Sequence, residues 1–312
     1  MRAKKHAIAR VHQSGVAIVL AMGVVTLAAL TATAILVSQS TWARQVELNS
    51  GHAQAQLIIQ AGLDWARAVL SDDLRASNSD HLGEPWALRL APIPIDNGSL
   101  SGQLDDEQGK FNLNNLVSQG KLNIAQLERF RRLLATLMLP VSLADTLADW
   151  IDADGQPQPR YGAEDAYYLA MQPPYLAANQ PLIEVTELSL VRGYDAAVRA
   201  RLRPFVTALP RATTINVNTA SAEVLSAGIE GLDLDMARSI VAQRGRAHFR
   251  NLSDFISLLP RGIKVSPREI GVSSDFFLAS MRVTIGDAQA QGEALLARDN
   301  AGWPTVVWRR TP

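Results

Sequence analysis

Acidic side chains are concentrated in one stretch of the chain, DWIDADGQPQPRYGAED. Within 17 residues it contains five carboxylates: Asp149, Asp152, Asp154, Glu164 and Asp165. So many like charges repel one another in a compact loop unless a cation or several backbone N–H groups neutralise them. Calcium takes six to eight oxygen ligands from flexible, carboxylate-rich loops of this kind. These five residues are therefore candidate calcium ligands. The alternative is a solvated loop whose aspartates cap neighbouring helices.

The loop is not an EF-hand, because Trp150 stands at the first ligand position and Tyr161 at the position of the closing glutamate. The rest of the sequence contains no pattern that indicates a catalytic site. The chain has no cysteine and no serine in a G-x-S-x-G pattern, and its histidines show no metal-binding spacing. The five histidines are His6, His12, His52, His81 and His248. We therefore predict that the protein is not an enzyme.

The segment INVNTASAEVLSAGIEGLDLDMARSIVAQR resembles a helix-hairpin-helix, a module that many proteins use on DNA. Binding to phosphates needs free backbone N–H groups with cations close by. Residues 213–262 instead contain five arginines and five acidic residues, so no basic face is expected. We predict packing or partner binding here, and no nucleic-acid partner.

Length and composition set the frame for these elements. The chain has 312 residues, of which 47% are hydrophobic, enough for one large or two ordinary domains. Its 30 basic and 30 acidic residues balance. A neutral chain has no overall field to attract nucleic acid or an anionic surface, so any such binding must be local.

The N-terminus carries the clearest pattern. No charged residue occurs between Arg10 and Arg44, and Val16–Val37 is an almost uninterrupted apolar run. As a helix the run would be roughly 33 Å long, enough to span a hydrocarbon layer of about 30 Å. Because positive charge precedes the run, we expect a cytoplasmic N-terminus and an exported remainder. This indicates a single-pass membrane protein.

Two processing events compete in this segment. A secretory signal peptide could be cut after Ala32-Thr33-Ala34. Alternatively, a short leader ends at Gly15 and the apolar helix is kept. The second interpretation is favoured because the run is long and because the helical pattern continues beyond Val37 without a proline as far as Leu70. We therefore predict one helix of about 55 residues, a membrane segment followed by a stem.

The stem carries apolar residues three, four or seven positions apart, which places them on one stripe of a helix. They are Trp42, Val46, Ala53, Leu57, Ala61, Trp65 and Ala68. We expect Trp65 to be a core position of the stem and Asp64 to be solvated. The stripe as a whole is expected to pack against the stems of sister subunits.

The exported part reads as a small sheet interrupted by helices. We predict a loop over 71–98, a strand pair within 99–116, and helices over Leu122–Met138 and Ser142–Trp150 with Ser142 as N-cap. The last 40 residues alternate in polarity between Gly-Asp and Asn-Ala-Gly turns, which predicts an antiparallel meander.

A short basic leader ending in glycine, an uncut apolar segment and an amphipathic continuation resemble a type IV pilin or pseudopilin. In that family a prepilin peptidase cuts after the glycine, here between Gly15 and Val16, and the new N-terminus is methylated. The fifth mature residue is usually glutamate, but here it is Leu20. A carboxylate in hydrocarbon needs a partner, which in the family is the terminal ammonium of the subunit ahead. An apolar residue at this position therefore points to the filament tip.

Four further motifs occur in a fixed order: FNLNNL, ADWIDADGQPQP with YGAEDAYYL, NQPLIEVTELSLVRGYD and TTINVNTASAEVL. Together with the leader they closely resemble the K-type minor pseudopilins of type II secretion. The resemblance implies an α+β fold, in which a long N-terminal helix packs on a small antiparallel sheet that carries a large helical insertion. The implied segments are a leader (1–15), a membrane helix (16–37), a stem (38–72), sheet (73–110), a helical insertion in two halves (111–205 and 213–270) and remaining strands (271–312).

The same resemblance implies an inner-membrane protein with its bulk in the periplasm and calcium in the helical insertion. Its partners would be the I-type and J-type minor pseudopilins, the major pseudopilin and the prepilin peptidase. Its function would be to initiate and cap the pseudopilus. The rival interpretation is an exported soluble protein of the binding or DNA-uptake type that has lost its first 34 residues.

Overall fold

The computed structural model describes residues 14–298 and 302–311. Its first element is one continuous helix, α1, from Ser14 to Ala76, whose 63 residues make a rod about 95 Å long. Among the described residues it is the one helix long and apolar enough to cross a membrane, and its most apolar window, with mean hydropathy 2.3, is not buried at all. The predicted continuity of membrane segment and stem is confirmed. Of the predicted leader (1–15), residues 1–13 lie outside the described residues.

Two strands follow the stem, β1 (Leu90–Ile95) and β2 (Gly98–Asp106), and they pair antiparallel. The prediction of a loop throughout 71–98 is therefore wrong. Pro92 and Pro94 gave the segment its loop-like composition. However, β1 is the edge strand of the sheet, and one side of an edge strand has no hydrogen-bond partner, so a missing N–H is tolerated there.

The prediction that two strands within 99–116 pair with each other is also wrong. Strand β2 bonds to β1 on one side and to a strand from the end of the chain on the other. After β2 the chain makes a single 3-10 turn over Glu107–Gly109. It then enters a large helical block.

The helical block contains seven short helices and six two-residue strands. They are β3 (Phe111–Asn112), β4 (Val117–Ser118), β5 (Lys121–Leu122), α2 (Ile124–Thr136), α3 (Leu143–Ile151), α4 (Asp165–Tyr168), α5 (Ala196–Leu202), β6 (Val206–Thr207), β7 (Ile215–Asn216), α6 (Ala222–Gly228), α7 (Leu234–Arg244), α8 (Leu252–Ile256) and β8 (Ile270–Gly271). Strands β3 and β6 pair in parallel, as do β7 and β8, so each half of the block is closed by one such pair.

The first two helices of the block begin close to where the sequence predicts. Asn123 caps α2, because its side chain accepts the N–H of Gln126. Ser142 occupies the predicted N-cap position of α3, but its backbone is already helical and its side chain makes no capping bond. The helices enclose a core of fully buried side chains that includes Phe111, Phe130 and Leu147.

Three strands complete the sheet: β9 (Phe276–Ile285), β10 (Ala288–Ala297) and β11 (Thr305–Arg310). The strand order is β1-β2-β9-β10-β11, and every pair in it is antiparallel. The predicted meander at the end of the chain is confirmed. Because β2 and β9 are neighbours, the helical block is an insertion between two adjacent strands. The predicted α+β class is also confirmed.

The stem packs on one face of the sheet. Its buried residues recur every three or four positions, at Ala55, Ile59, Leu63, Ala66 and Leu70, which is one face of a helix. They meet alternate residues of β9, beginning at Phe277 and ending at Val283. Each fully buried leucine or isoleucine contributes about 1.5–3 kcal/mol. This core is separate from that of the helical block.

Candidate functional site

The predicted acidic stretch lies between two helices of the block. Asp152 directly follows α3, Asp154 lies two residues further on, and Glu164 directly precedes α4. Carboxylate oxygens of these three residues all lie within 4.8 Å of one another. The C-terminal end of a helix carries a partial negative charge, so α3 adds to the negative potential. The three carboxylates and the helix end therefore concentrate negative charge at one point of the loop.

The other two candidate ligands have different partners. Both carboxylate oxygens of Asp149 accept the backbone N–H of Gln158, at 3.1 and 3.2 Å, and one also accepts that of Ala163 at 2.6 Å. Asp165 accepts the N–H of Ala177 at 3.0 Å. These two carboxylates therefore fix the loop around the cluster of Asp152, Asp154 and Glu164, which we call the acidic triad.

Two members of the acidic triad have buried oxygen atoms without partners. Oδ1 of Asp152 and both carboxylate oxygens of Glu164 are buried and accept no hydrogen bond. Burial, followed by the charges of Asp154 and Asp149, raises the pKa of Asp152 to about 7. Burial, followed by four neighbouring carboxylates, also raises the pKa of Glu164 to about 7. Unpartnered buried carboxylates are costly, and a bound cation would remove that cost.

The chemistry of the acidic triad fits a hard divalent cation. The donors are all oxygen atoms, and the loop that carries them is long enough to supply backbone carbonyls or admit water as further ligands. Asp152, Asp154 and Glu164 would hold such an ion directly. Asp149 would act indirectly, by holding the loop closed.

A second group of carboxylates, which the sequence did not indicate, already has partners in the fold. Asp73, Asp80 and Glu84 also have oxygens within 4.8 Å of one another. Here the guanidinium of Arg298 pairs with Asp73, at 2.7 Å, and with Asp80. Glu84 accepts the indole N–H of Trp86 at 2.7 Å. The guanidinium of Arg298 stands where a metal ion would otherwise be needed. Sequence spacing could not reveal this pairing, because Arg298 lies at the far end of the chain.

A buried polar network joins the helical block to the sheet at Asp106, the last residue of β2. Its carboxylate accepts the side-chain hydroxyls of Thr219 (2.5 Å) and Ser274 (2.7 Å) and the amide of Asn216 (3.0 Å). It also accepts the backbone N–H of Gln108 at 2.8 Å. Burial raises the pKa of Asp106, although these bonds oppose the rise. The network fixes the orientation of the block on the sheet.

The predicted stem stripe does not lie in the core. Trp42 is 71% exposed, Leu57 is 72% exposed and Trp65 is 54% exposed. The prediction of Trp65 as a core residue is therefore wrong, because the stem has two apolar faces and the other one meets the sheet. Val46, Ala53 and Ala61 are exposed as well. We call this exposed apolar stripe the back face of the stem.

The residues predicted to be processed lie at the start of α1. Gly15 and Val16 are helical, and Leu20 follows one turn later with 64% of its surface exposed. No acidic residue occurs in the first turn of the helix. The first turn of α1 therefore carries no negative charge.

A long helix that is bare over its first half and packed on a small antiparallel sheet over its second half defines a membrane-anchored, pilin-like subunit. The helical insertion is matched by the family profile "Type II secretion system (T2SS), protein K", over residues 109–211 and 215–271. These ranges cover both halves of the helical block.

Full-length relatives give the same answer. Type II secretion system protein K of Pseudomonas aeruginosa is 37% identical over 95% of this chain and 92% of its own length. The Klebsiella pneumoniae protein is 31% identical over 96% of each. A solved structure, the GspK-GspI-GspJ complex of enterotoxigenic Escherichia coli, contains a chain with 27% identity and a TM-score of 0.75, covering 86% of this chain and 99% of that one. The chain belongs to the type II secretion system protein K family.

Proposed function

We propose that this protein is the minor pseudopilin at the tip of the type II secretion pseudopilus, where it initiates and caps the filament. Its partners are the I-type and J-type minor pseudopilins, as in the complex of the E. coli relative, with the major pseudopilin below them. The role is structural rather than catalytic. Filament growth from the inner membrane pushes folded cargo towards an outer-membrane channel.

The observation that carries this proposal is the back face of the stem. Large apolar side chains exposed along one stripe of a rod are a site for another apolar rod. The sheet already covers the opposite face, so the back face is free for sister stems. Trp42 and Trp65 lie near its two ends and supply the large aromatic contacts that are common at protein interfaces.

Charged substitutions on the back face test the assembly. In cells that also express the I- and J-type subunits, we expect the Leu57→Asp/Trp65→Asp variant to lose copurification with both. A matched control is Ile124→Asp/Met138→Asp, which places the same charges on exposed apolar residues of the helical block. Copurification equal to that of the unsubstituted protein in the stem variant would refute the proposed interface.

Two features support a position at the tip. Leu20 offers no carboxylate for the N-terminus of a subunit ahead, and an apolar residue is cheaper than an unpaired carboxylate in hydrocarbon. The helical block, inserted between β2 and β9, adds bulk that leaves no room for another subunit above it. Both features favour the end of the filament over its shaft.

We further propose cleavage by the prepilin peptidase between Gly15 and Val16, followed by methylation of Val16. The N-terminus would be cytoplasmic and the folded part periplasmic, since basic residues precede the apolar run. The N-terminal mass of the protein from inner membranes should correspond to methylated Val16. Gly15→Ala should accumulate as precursor. A soluble form that begins in the thirties would favour the rival signal peptide.

Finally, we propose that the acidic triad binds calcium. Isothermal calorimetry on the full chain in detergent should detect the ion, and chelation should lower the melting temperature. Asp152→Asn/Glu164→Gln should abolish both effects. Asp72→Asn, on an exposed stem position, should not. A melting temperature that does not respond to chelator would contradict the site.

A further inference from the structure

A groove runs along the face of the sheet that points away from the stem. Its upper part, beneath the helical block, has a volume of about 460 Å³ and is lined by Arg199, Trp308 and Arg310 among others. Its lower part, about 660 Å³, crosses the outer face of β2, β9 and β10 and is lined by Arg89, Ser280 and Arg282 among others. Lys110, Arg203, Leu278 and Glu293 line both parts, so the two parts adjoin, and we call them together the outer groove.

The acidic residues of the outer groove are already engaged. Arg310 pairs with Glu184 at 2.8 Å and with Glu293 at 2.5 Å. Lys110 pairs with Glu107 at 2.5 Å, and Asp105 accepts the side-chain amide of Gln103 at 2.7 Å. The cations of Lys110 and Arg310 offset part of this negative charge, while Asp105 keeps its own.

Three arginines of the groove have no such partner. Arg89, Arg203 and Arg282 are exposed, and within residues 14–298 and 302–311 none of them makes an ion pair or a side-chain hydrogen bond. The helical block contributes Arg203, the segment before β1 contributes Arg89, and β9 contributes Arg282. Three chain segments therefore bring unpaired guanidinium groups to the outer groove, and guanidinium groups bind carboxylates well.

The upper part of the groove also has an apolar floor. The indole of Trp308 lines it together with Leu278 and Leu295. Such a surface can bury apolar side chains, which a polyphosphate does not have. This combination suits a polypeptide better than a polyphosphate.

We propose that the outer groove binds an acidic, extended segment of a partner protein. The groove lies on the face of the sheet opposite the stem, so this interaction is independent of filament assembly through the back face. Acidic side chains of the segment would meet Arg89, Arg203 and Arg282, and its apolar parts would pack against Trp308. Surface pairs of this kind make the binding strongly dependent on ionic strength.

Fluorescence anisotropy on the full chain in detergent tests the proposal with defined probes. A fluorescein-labelled twelve-residue peptide of alternating Ser and Glu should bind about tenfold more tightly than one of alternating Ser and Gln, since three exposed ion pairs each contribute a few-fold. The Arg89→Gln/Arg203→Gln/Arg282→Gln variant should lose about the same factor. A single-stranded DNA probe of equal charge that binds equally well would overturn the assignment to a peptide.

A matched control separates a site from net charge. Arg246→Gln/Arg261→Gln/Arg268→Gln removes three exposed arginines from the second half of the helical block and should leave peptide binding unchanged. Because the chain has no cysteine, Ser280→Cys can be modified selectively with a bulky maleimide, which should block binding. Equal loss in the control variant, or undiminished binding after modification of Ser280→Cys, would overturn the proposal.

Discussion

Within the acidic stretch, Asp149 organises the chain and the three carboxylates of the acidic triad lie close together. Asp149 accepts backbone N–H groups from both sides of the loop, and this holds Asp152 and Glu164 close together. Gly162 lies against that contact. A methyl group there would overlap Oδ2 of Asp149 and the backbone nitrogen of Gln158. The loop can close only with glycine at this position.

Substitution of Gly162 is therefore expected to open the loop. We predict that Gly162→Ala weakens calcium binding by at least about tenfold, since the displaced Asp149 no longer fixes the triad. The matched control is Gly155→Ala in the same loop, where a methyl group meets nothing within 4 Å. Calorimetry on both variants gives the comparison. Equal affinities would show that Asp149 does not organise the site.

The raised pKa values of the triad predict a dependence of stability on pH. Asp152 and Glu164 have pKa values of about 7 in the metal-free fold and about 4 when unfolded. The folded protein therefore binds protons at these two carboxylates more tightly than the unfolded chain does. The stability that the two protonated carboxylates contribute is complete below pH 4 and is lost as the pH rises through 7. Bound calcium needs the ionised carboxylates, so the stabilisation by calcium should grow over the same range.

Melting temperatures measured in chelator and in calcium at pH 5, 6, 7 and 8 check this prediction. Other buried carboxylates, such as Asp80 and Asp149, shift the chelator curve in the same direction. The difference between the two curves isolates the triad. Asp152→Asn/Glu164→Gln should abolish that difference. A difference that stays constant from pH 5 to pH 8 would contradict the assignment.

At this scale the sequence indicated which residues lie close together better than it indicated their individual roles. Five acidic residues in one stretch predicted a cation site, and the structure brings Asp152, Asp154 and Glu164 together. The separate role of Asp149 depends on backbone N–H groups whose direction only the folded loop defines. Pairs such as Asp80 with Arg298, or Asp106 with Ser274, join distant parts of the chain and leave no local pattern.

Among the elements, the stem illustrates what helical periodicity can and cannot predict. Spacing identified a long amphipathic helix, and α1 is continuous from Ser14 to Ala76. The same spacing assigned the stripe of Leu57 and Trp65 as the apolar face, and this stripe is exposed. It did not identify the stripe of Ile59 and Leu63, which is buried. A helix with two apolar faces has no unique inner side until a sheet covers one of them.

Paired alanine substitutions separate the two faces of the stem. Leu63 is 4% exposed and packs in the sheet core, so Leu63→Ala should lower the free energy of unfolding by about 3 kcal/mol. Leu57→Ala should change it by less than about 0.5 kcal/mol and should instead weaken association with sister subunits. Denaturant unfolding in detergent and copurification provide the two readouts. A large stability loss in Leu57→Ala would contradict the assignment of faces.

The strands show how context overrides composition. Pro92 and Pro94 indicated a loop, yet β1 tolerates both because only one of its sides is paired. At the other end of the chain, β9, β10 and β11 follow alternation and turn residues closely, and Gly286 turns between two of them with a positive φ of 53°. The sequence therefore predicted the turns between these strands, whereas it did not predict that β1 lies at the edge of the sheet.

For the whole molecule, two separate cores are joined by polar contacts and by a small apolar cluster of Leu209, Phe276 and Leu295. The stem and sheet share one core, and the helical block has its own. Between them, Asp106 collects four hydrogen bonds from three segments of the chain. A helical block at a fixed angle above the stem can act as a rigid cap, so this junction matters for the proposed tip role.

Asp106→Asn tests the junction. The amide replaces an acceptor with a donor that faces other donors, so we predict a loss of about 3 kcal/mol in the free energy of unfolding. Asp105→Asn, one residue earlier on the outer face of the sheet, should cost less than about 0.5 kcal/mol. Denaturant unfolding measures both variants. Equal stabilities would show that Asp106 does not join the two parts.

Photo-crosslinking in secreting cells tests the central claim most directly, namely that the back face of the retained stem packs against sister stems. With a benzophenone amino acid at position 57, we predict a covalent adduct whose mass spectrum contains an I-type or J-type pseudopilin. The same probe at Met138, which is 78% exposed on the helical block, should give no such adduct. No adduct from position 57, or the same adduct from both positions, would contradict the account.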